Sequence, residues 1–235
     1  MKIKNFIPSF ITSLNLFCGC IATVFAFQGE VKYAVILIII AAILDFLDGF
    51  SARMLKTVSN FGKQLDSLAD IISFGMAPAT LMYNLVVNHS VFSGIWSFST
   101  FLIVIFAALR LAKYNIDSNQ TNEFSGLPTP AMAIFILSIA WYVDTENNCV
   151  TQLICNKYFF AGLIIFVSVL MVSKIKLFSL KFKEFSFKKN IWQIIFLILS
   201  IVLLIIFKII GIAFIIILYL ALSLLKNMFN KNKIE

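Results

Sequence analysis

Four aspartates gather within 26 residues of an otherwise apolar region: Asp45, Asp48, Asp66 and Asp70. Asp45 and Asp48 are three residues apart, and Asp66 and Asp70 are four apart, so on helices each pair occupies one face. Ionisable groups are expensive at the end of a membrane helix, and their presence there points to a role. Four carboxylates so close cannot all stay ionised unless cations neutralise them. The segment holds no histidine and no cysteine, which leaves hard oxygen donors and selects magnesium, manganese or calcium over zinc or copper. Two divalent ions would balance four negative charges. A two-metal carboxylate site at a membrane face suits a pyrophosphate and the displacement of a group at phosphorus.

The neighbours extend the pattern. Gly49 and Ala52 share the helical stripe of Asp45 and Asp48, and Gly62 lies one turn before Asp66. Small residues there let a bulky polar ligand approach the backbone. Arg53 completes the stripe with a planar fork suited to phosphate. A single aspartate in such a place reads as a capped, solvated helix end. Four at these spacings, with an arginine and three small residues, do not.

The elements that position these residues are membrane helices. With 61% hydrophobic residues and a mean hydropathy of +0.98, a 235-residue chain would expose large apolar patches as a soluble globule. Apolar runs mark eight helices, near 10–27, 31–54, 64–87, 92–114, 128–144, 156–173, 191–207 and 209–226. The last two share one break at Lys208–Gly211 and read as a tight helical hairpin. The fold class expected is an all-α polytopic bundle in a single domain over 1–235. Its six-helix catalytic core spans about 8–175, and the hairpin about 190–226. The basic N-terminus precedes an apolar stretch, but Pro8, Ser9, Thr12, Ser13 and Asn15 interrupt it and no small-residue cleavage pattern follows. It therefore reads as the first membrane helix.

With the N-terminus inside and the loops alternating, sixteen lysines and arginines fall inside, and only Lys32, Lys157 and Lys208 fall outside. That bias places both termini, and the aspartates, at the cytoplasmic side of the cell membrane. Asp45 and Asp48 then end the second helix, Asp66 and Asp70 begin the third, and an antiparallel hairpin brings the pairs face to face. The net charge of +8 points to the anionic inner leaflet and not to nucleic acid. The 174–189 segment, with six lysines and interleaved Phe178, Phe182, Phe185 and Phe187, reads as a topology determinant lying on that surface. Cys18, Cys20, Cys149 and Cys155 form no C-x-x-C pair and His89 is the only histidine, so a metal–thiolate site is not expected. Cys149 and Cys155 share one short loop, where a disulfide would require an oxidising space.

The run D-F-L-D-G-F-S-A-R, eight residues, then G-K-Q-L-D-S-L-A-D fits D-x-x-D-G-x-x-A-R-x(8)-G-x-x-x-D-x-x-x-D at all eight fixed positions. That pattern resembles the signature of the CDP-alcohol phosphotransferases. Leu65–Ala79, Ala108–Asn115, Phe124–Ala131 and Thr12–Gly19 further resemble the serine-using, phosphatidylserine synthase branch. Phosphatidylglycerophosphate synthases usually carry proline where Ser67 stands. The likeness spans about 8–131, and Ser9 departs from it where many relatives have asparagine.

The resemblance implies that Asp45, Asp48 and Asp66 hold metal, with Asp70 both a metal-site carboxylate and the general base. A base beside the metals would reach the attacking hydroxyl, which agrees with that role. It also implies that Gly49, Arg53 and Ser59 contact the CDP part of the donor, with Ala52 and Gly62 lining it. The expected cofactors are two divalent cations, Mg2+ or Mn2+. The expected substrates are CDP-diacylglycerol, or an ether-lipid analogue, and L-serine, and the expected assembly is a homodimer in the bilayer. Arg110 reads either as an anchor snorkelling to the interface or as a ligand for a phosphate or the serine carboxylate, and the branch motif favours the second. Thr12 and Asn15 read equally as helix-packing residues and as ligand contacts. Two competing functions are a cation transporter and transfer to inositol phosphate or glycerol phosphate. Val31–Leu44 and Ile71–Val87 carry no acidic residue to complete an ion route, and a phosphorylated acceptor would need more basic residues than Arg53 and Arg110.

Overall fold

The computed structural model describes residues 3–89, 91–92, 94–116, 124–178 and 190–231. Lys2, Lys181, Lys183, Lys188, Lys189 and Lys233 lie outside the described residues, as do Phe182, Phe185 and Phe187. Two long helices open the chain, α1 (Ile3–Gln28) and α2 (Val31–Met54), joined at Gly29 with φ +85°. Next, α3 (Asn60–Asp70) runs through one π turn (Ile71–Met76) into α4 (Ala77–Asn88), so that Asn60–Asn88 is one continuous helical rod. A 3-10 segment (Gly94–Phe101) leads into α5 (Leu102–Ile116). Three more helices follow: α6 (Thr129–Thr145), the short α7 (Cys149–Ile154) and α8 (Lys157–Val172). The last pair is α9 (Ile191–Phe207) and α10 (Gly211–Lys231). Among the described residues, five segments are long and apolar enough to cross a membrane: Phe6–Gln28, Val31–Met54, Asn60–Asn88, Gly94–Ile116 and Ile191–Met228. Helices α6 and α8 are shorter and apolar.

Segment Ile191–Met228 is folded in two. Lys208 sits at φ 51°, a conformation that ends α9, and a 3-10 turn leads into α10. The beginning of α9 and the later part of α10 then meet at one residue. The Phe178 ring contacts both Phe196 and Tyr219, and the Tyr219 hydroxyl donates to the Phe178 carbonyl at 2.7 Å. This is the hairpin expected from the sequence. Other boundaries differ modestly: α1 begins at Ile3 rather than near 10, and α10 reaches Lys231. The helix α7, absent from the sequence expectation, forms because the Asn148 side chain accepts from the Val150 and Thr151 amides. Cys149 and Cys155 flank this helix as free thiols.

The rod Asn60–Asn88 is the axis of the bundle: 72% of its most apolar stretch is buried, against 28% for α1 and for α2. Two glycines let neighbours reach its π turn. Gly19 of α1 packs on the Ser73 backbone, where any Cβ would overlap it, and Gly75 faces Ala107 and Val104 of α5. The Ser73 hydroxyl donates to the Asn15 carbonyl at 3.0 Å, fastening the π turn to α1. The turn itself has a local cause. The Ala77 amide donates five residues back to Ile72, and Pro78 has no amide to restore the ordinary ladder. Asp70 thus sits just ahead of a shift in helical register.

Among the described residues, one strand pair occurs: β1 (Phe124–Ser125) runs antiparallel to β2 (Lys176–Leu177). Gly126 follows with φ +76°, donates its amide to Ile175, and lies against the carbonyls of Met171 and Ser173. The segment before α6 is thereby tied to the end of α8, and Pro128 stands at the position just before α6. A side chain at 126 has neither room nor a favourable backbone. Gly126→Ala should destabilise the protein by at least about 1–2 kcal/mol, the cost of a left-handed residue. Thermal unfolding in detergent checks this, with Gly162→Ala, whose added methyl meets nothing within 4 Å, leaving the midpoint unlowered.

Candidate active site

A five-residue turn, Leu55–Ser59, reverses the chain between α2 and α3. Lys56 takes the left-handed conformation at φ 52°, and the Thr57 amide donates to the Ala52 carbonyl at 2.9 Å. Ser59 then caps α3, accepting from the Gly62 amide at 3.0 Å. This reversal sets the aspartates of the two helices against each other. Asp45, Asp48 and Asp66 each direct a carboxylate oxygen into one group whose members all lie within 4.8 Å of one another. Asp48 is buried, and Asp45 and Asp66 are half-buried. Asp70, one turn further along the rod, lies outside that group, is 7% exposed, and remains within electrostatic reach of the other three.

Such a cluster fits a divalent cation. The donors are all hard oxygens, and the Oδ1 atoms of Asp66 and Asp70 are buried without a hydrogen-bond partner. Buried carboxylates left unpaired at this density are strongly destabilising unless an ion joins them. The buried acidic triad is therefore compatible with divalent metal binding. One protein group already serves the cluster: the Thr12 hydroxyl of α1 lies 2.6 Å from Asp48 Oδ2 and 3.0 Å from the Pro8 carbonyl. Its one proton can serve a single acceptor, and the carboxylate is the stronger and nearer of the two.

The other residues singled out by sequence divide between an outer and an inner flank. Gly49 is bare: a Cβ there would meet only Arg53 Nη2, at 3.9 Å. Arg53 is exposed and folds back along α2, its Nε donating to the Gly49 carbonyl at 2.9 Å. Ala52 is half-buried and contributes its carbonyl to the turn. The Ser59 oxygen is engaged as the cap, and Gly62 sits directly against it. Arg110 of α5 is on the inner flank, within electrostatic reach of Asp70, with Nη1 3.5 Å from Thr129 Oγ1 and a buried, unpartnered Nε.

Two contacts at the cluster are not foreseeable from spacing. Thr12 reaches Asp48 across 36 residues of chain. Asn115 Nδ2 donates to Ser67 Oγ at 2.8 Å, and Ser67 in turn donates to the Lys63 carbonyl. Lys63 Nζ lies 3.5 Å from the Asn115 carbonyl and over the Tyr114 ring. This clasp fixes the end of α5, and hence Arg110, relative to the helix that carries Asp66 and Asp70.

Comparison with known proteins agrees with this geometry. The family model described as CDP-alcohol phosphatidyltransferase matches residues 5–173. A CDP-diacylglycerol–serine O-phosphatidyltransferase of Helicobacter pylori (strain J99) is 34% identical over 196 residues, covering 81% of this chain and 79% of that one. One of the same name from Bacillus subtilis (strain 168) is 38% identical over 139 residues, covering 58% and 77%. An archaetidylserine synthase of Methanothermobacter thermautotrophicus is 35% identical over 179 residues, covering 74% and 71%. A match across most of the chain, containing the whole aspartate hairpin, is decisive for kinship: the chain belongs to the CDP-alcohol phosphatidyltransferase family.

Proposed function

We propose that this protein transfers a phosphatidyl group from CDP-diacylglycerol, or its ether-linked analogue, to the hydroxyl of L-serine, giving a phosphatidylserine and CMP. The observation that carries this is the convergence of Asp45, Asp48 and Asp66 within 4.8 Å, beside a bare Gly49 and an arginine fork. The acceptor is supported by the names of the relatives, bacterial and archaeal alike. A lipid donor is further supported by an apolar groove of about 260 Å³, lined by Ile39, Ile43, Phe46, Phe74 and Ala133, whose α2 residues flank Asp45 in the chain.

Each residue then has a task. Two divalent cations, Mg2+ or Mn2+, held by Asp45, Asp48, Asp66 and Asp70, would neutralise the donor pyrophosphate and the departing CMP. Gly49 lets the pyrophosphate approach the backbone, and Arg53 turns its free N–H groups toward a phosphate oxygen. Ser59, Ala52 and Gly62 line the nucleotide end. Asp70 accepts the proton of the serine hydroxyl as its oxygen bonds to the β-phosphorus. Arg110 offers its guanidinium to the serine carboxylate. The domain extends over the whole chain, with the catalytic core at about 8–175 and the α9–α10 hairpin appended. The resemblance that supplies the acceptor also supplies a homodimer. The excess of lysine and arginine on one side supports a cell-membrane enzyme whose site and termini face the cytoplasm.

Three measurements test this. CMP release from CDP-diacylglycerol should require L-serine and a divalent cation, stop in excess chelator, and not be supported by glycerol 3-phosphate or inositol. Asp70→Asn preserves shape while removing the proton acceptor. It should still bind CDP-diacylglycerol but lose kcat by at least about 100-fold, the lower range for removing a general base; near-normal turnover would exclude the base role. Finally, a reporter fused to the C-terminus should be read in the cytoplasm, and an external signal would overturn the even number of crossings.

A further inference from the structure

Asn15 is fully buried, and neither its carboxamide oxygen nor its nitrogen has a hydrogen-bond partner. Both ends of an amide left unpaired in a membrane interior are costly, so the position calls for a polar guest. Its place in the fold indicates which one. Asn15 lies on the buried stripe of α1, three residues after Thr12, whose hydroxyl meets Asp48. At about 1.5 Å per residue, it stands about 4.5 Å further along α1 than that contact. Its own carbonyl accepts from Ser73, three residues beyond Asp70. The carboxamide therefore belongs to the inner flank of the aspartate cluster, that of Asp70, and not to the exposed flank of Arg53. Two more buried atoms on that flank lack partners, Asp70 Oδ1 and Arg110 Nε.

Building on the serine-transfer function proposed above, we infer that Asn15 is a specificity-determining residue that receives the amino-acid head of the acceptor. A carboxamide presents an acceptor oxygen and a donor nitrogen on one planar group. A zwitterionic α-amino acid is its complement: the ammonium donates to Oδ1, and the carboxylate accepts from Nδ2 while Arg110 balances its charge. A phosphorylated alcohol has hydroxyl donors but no ammonium, and its phosphate offers acceptors alone, so Oδ1 would lose the charge-assisted partner that serine supplies. The same side chain that recognises serine thus disfavours such competitors.

The test uses the full-length protein in mixed micelles and measures CMP release for wild type, Asn15→Leu and Asn15→Asp. In both variants KM for L-serine should rise at least about 10-fold, the scale of a lost hydrogen bond to a charged group, with KM for CDP-diacylglycerol within about 2-fold of wild type. Asn15→Asp should also shift preference from serine toward 2-aminoethanol, which has the ammonium but no carboxylate to be repelled. An unchanged KM for serine with a raised KM for CDP-diacylglycerol would overturn the inference and give the residue to the nucleotide. Equal changes in both constants, as packing damage would produce, would overturn it too. If Asn15→Leu does not fold, the near-isosteric Asn15→Asp carries the test. A wild type that uses another acceptor but not serine would instead refute the underlying function, an outcome separable from wild-type serine turnover with unaffected Asn15 variants.

Discussion

Like charges held close together in a medium of low dielectric repel strongly, and each also loses the water that would stabilise it. Asp45, Asp48, Asp66 and Asp70 place this problem at the hairpin where α2 meets the start of the rod. Much of the surrounding structure is arranged to make it tolerable. The left-handed Lys56 and the Ser59 cap close a turn short enough to set two helices' carboxylates against each other. Thr12 brings a hydroxyl to Asp48 from a third helix. Gly19 and Gly75 allow α1 and α5 to press against the helix that carries Asp66 and Asp70. What the protein itself leaves unsatisfied, the Oδ1 atoms of Asp66 and Asp70, is suited to a cation and a substrate.

The site has two unlike sides. On the outer one, Gly49, Arg53 and Ser59 sit at or near the surface, where the nucleotide proposed above would have open access. On the inner one, Asp70, Asn15 and Arg110 are held by helix packing and by the Ser67–Asn115 clasp, so a small guest would meet groups already oriented. The apolar groove beside Phe46 and Phe74 has an almost wholly apolar lining, as a lipid tail would require. Polar, charged and apolar parts of the proposed donor would thus find separate surroundings near Asp45.

Much of this was legible in the sequence because the decisive information is local. Both aspartate pairs belong to a single hairpin, so spacing along the chain nearly determines their meeting. The apolar runs gave the helices, and the break at Lys208 gave the final reversal. Contacts between distant segments were not legible: Thr12 with Asp48, Asn115 with Ser67, and Asn15 with Ser73 each depend on how helices are packed. Asp70 was read as both a metal-site carboxylate and the general base, and it lies outside the group that Asp45, Asp48 and Asp66 form, one turn beyond Asp66 on the rod. The π turn gave no pattern of its own beyond Pro78, and α7 rests on one asparagine cap. Gly126 stood in a stretch that looked like a branch marker. Its immediate job is conformational, in a turn no other residue suits.

With Asp70 as the base proposed above, its recessed position would bear on which nucleophile wins. The residue is 7% exposed, and Ala69, Phe74 and Ala77 beside it on the rod are fully buried. An activated pyrophosphate is open to attack by water as well as by an alcohol, and water is vastly more abundant. A base sheltered from bulk solvent can act chiefly on a hydroxyl that fills the pocket and excludes its rivals. Burial of that one carboxylate would thereby govern the partition between lipid synthesis and futile hydrolysis, so that a costly donor is consumed only when an acceptor is in place.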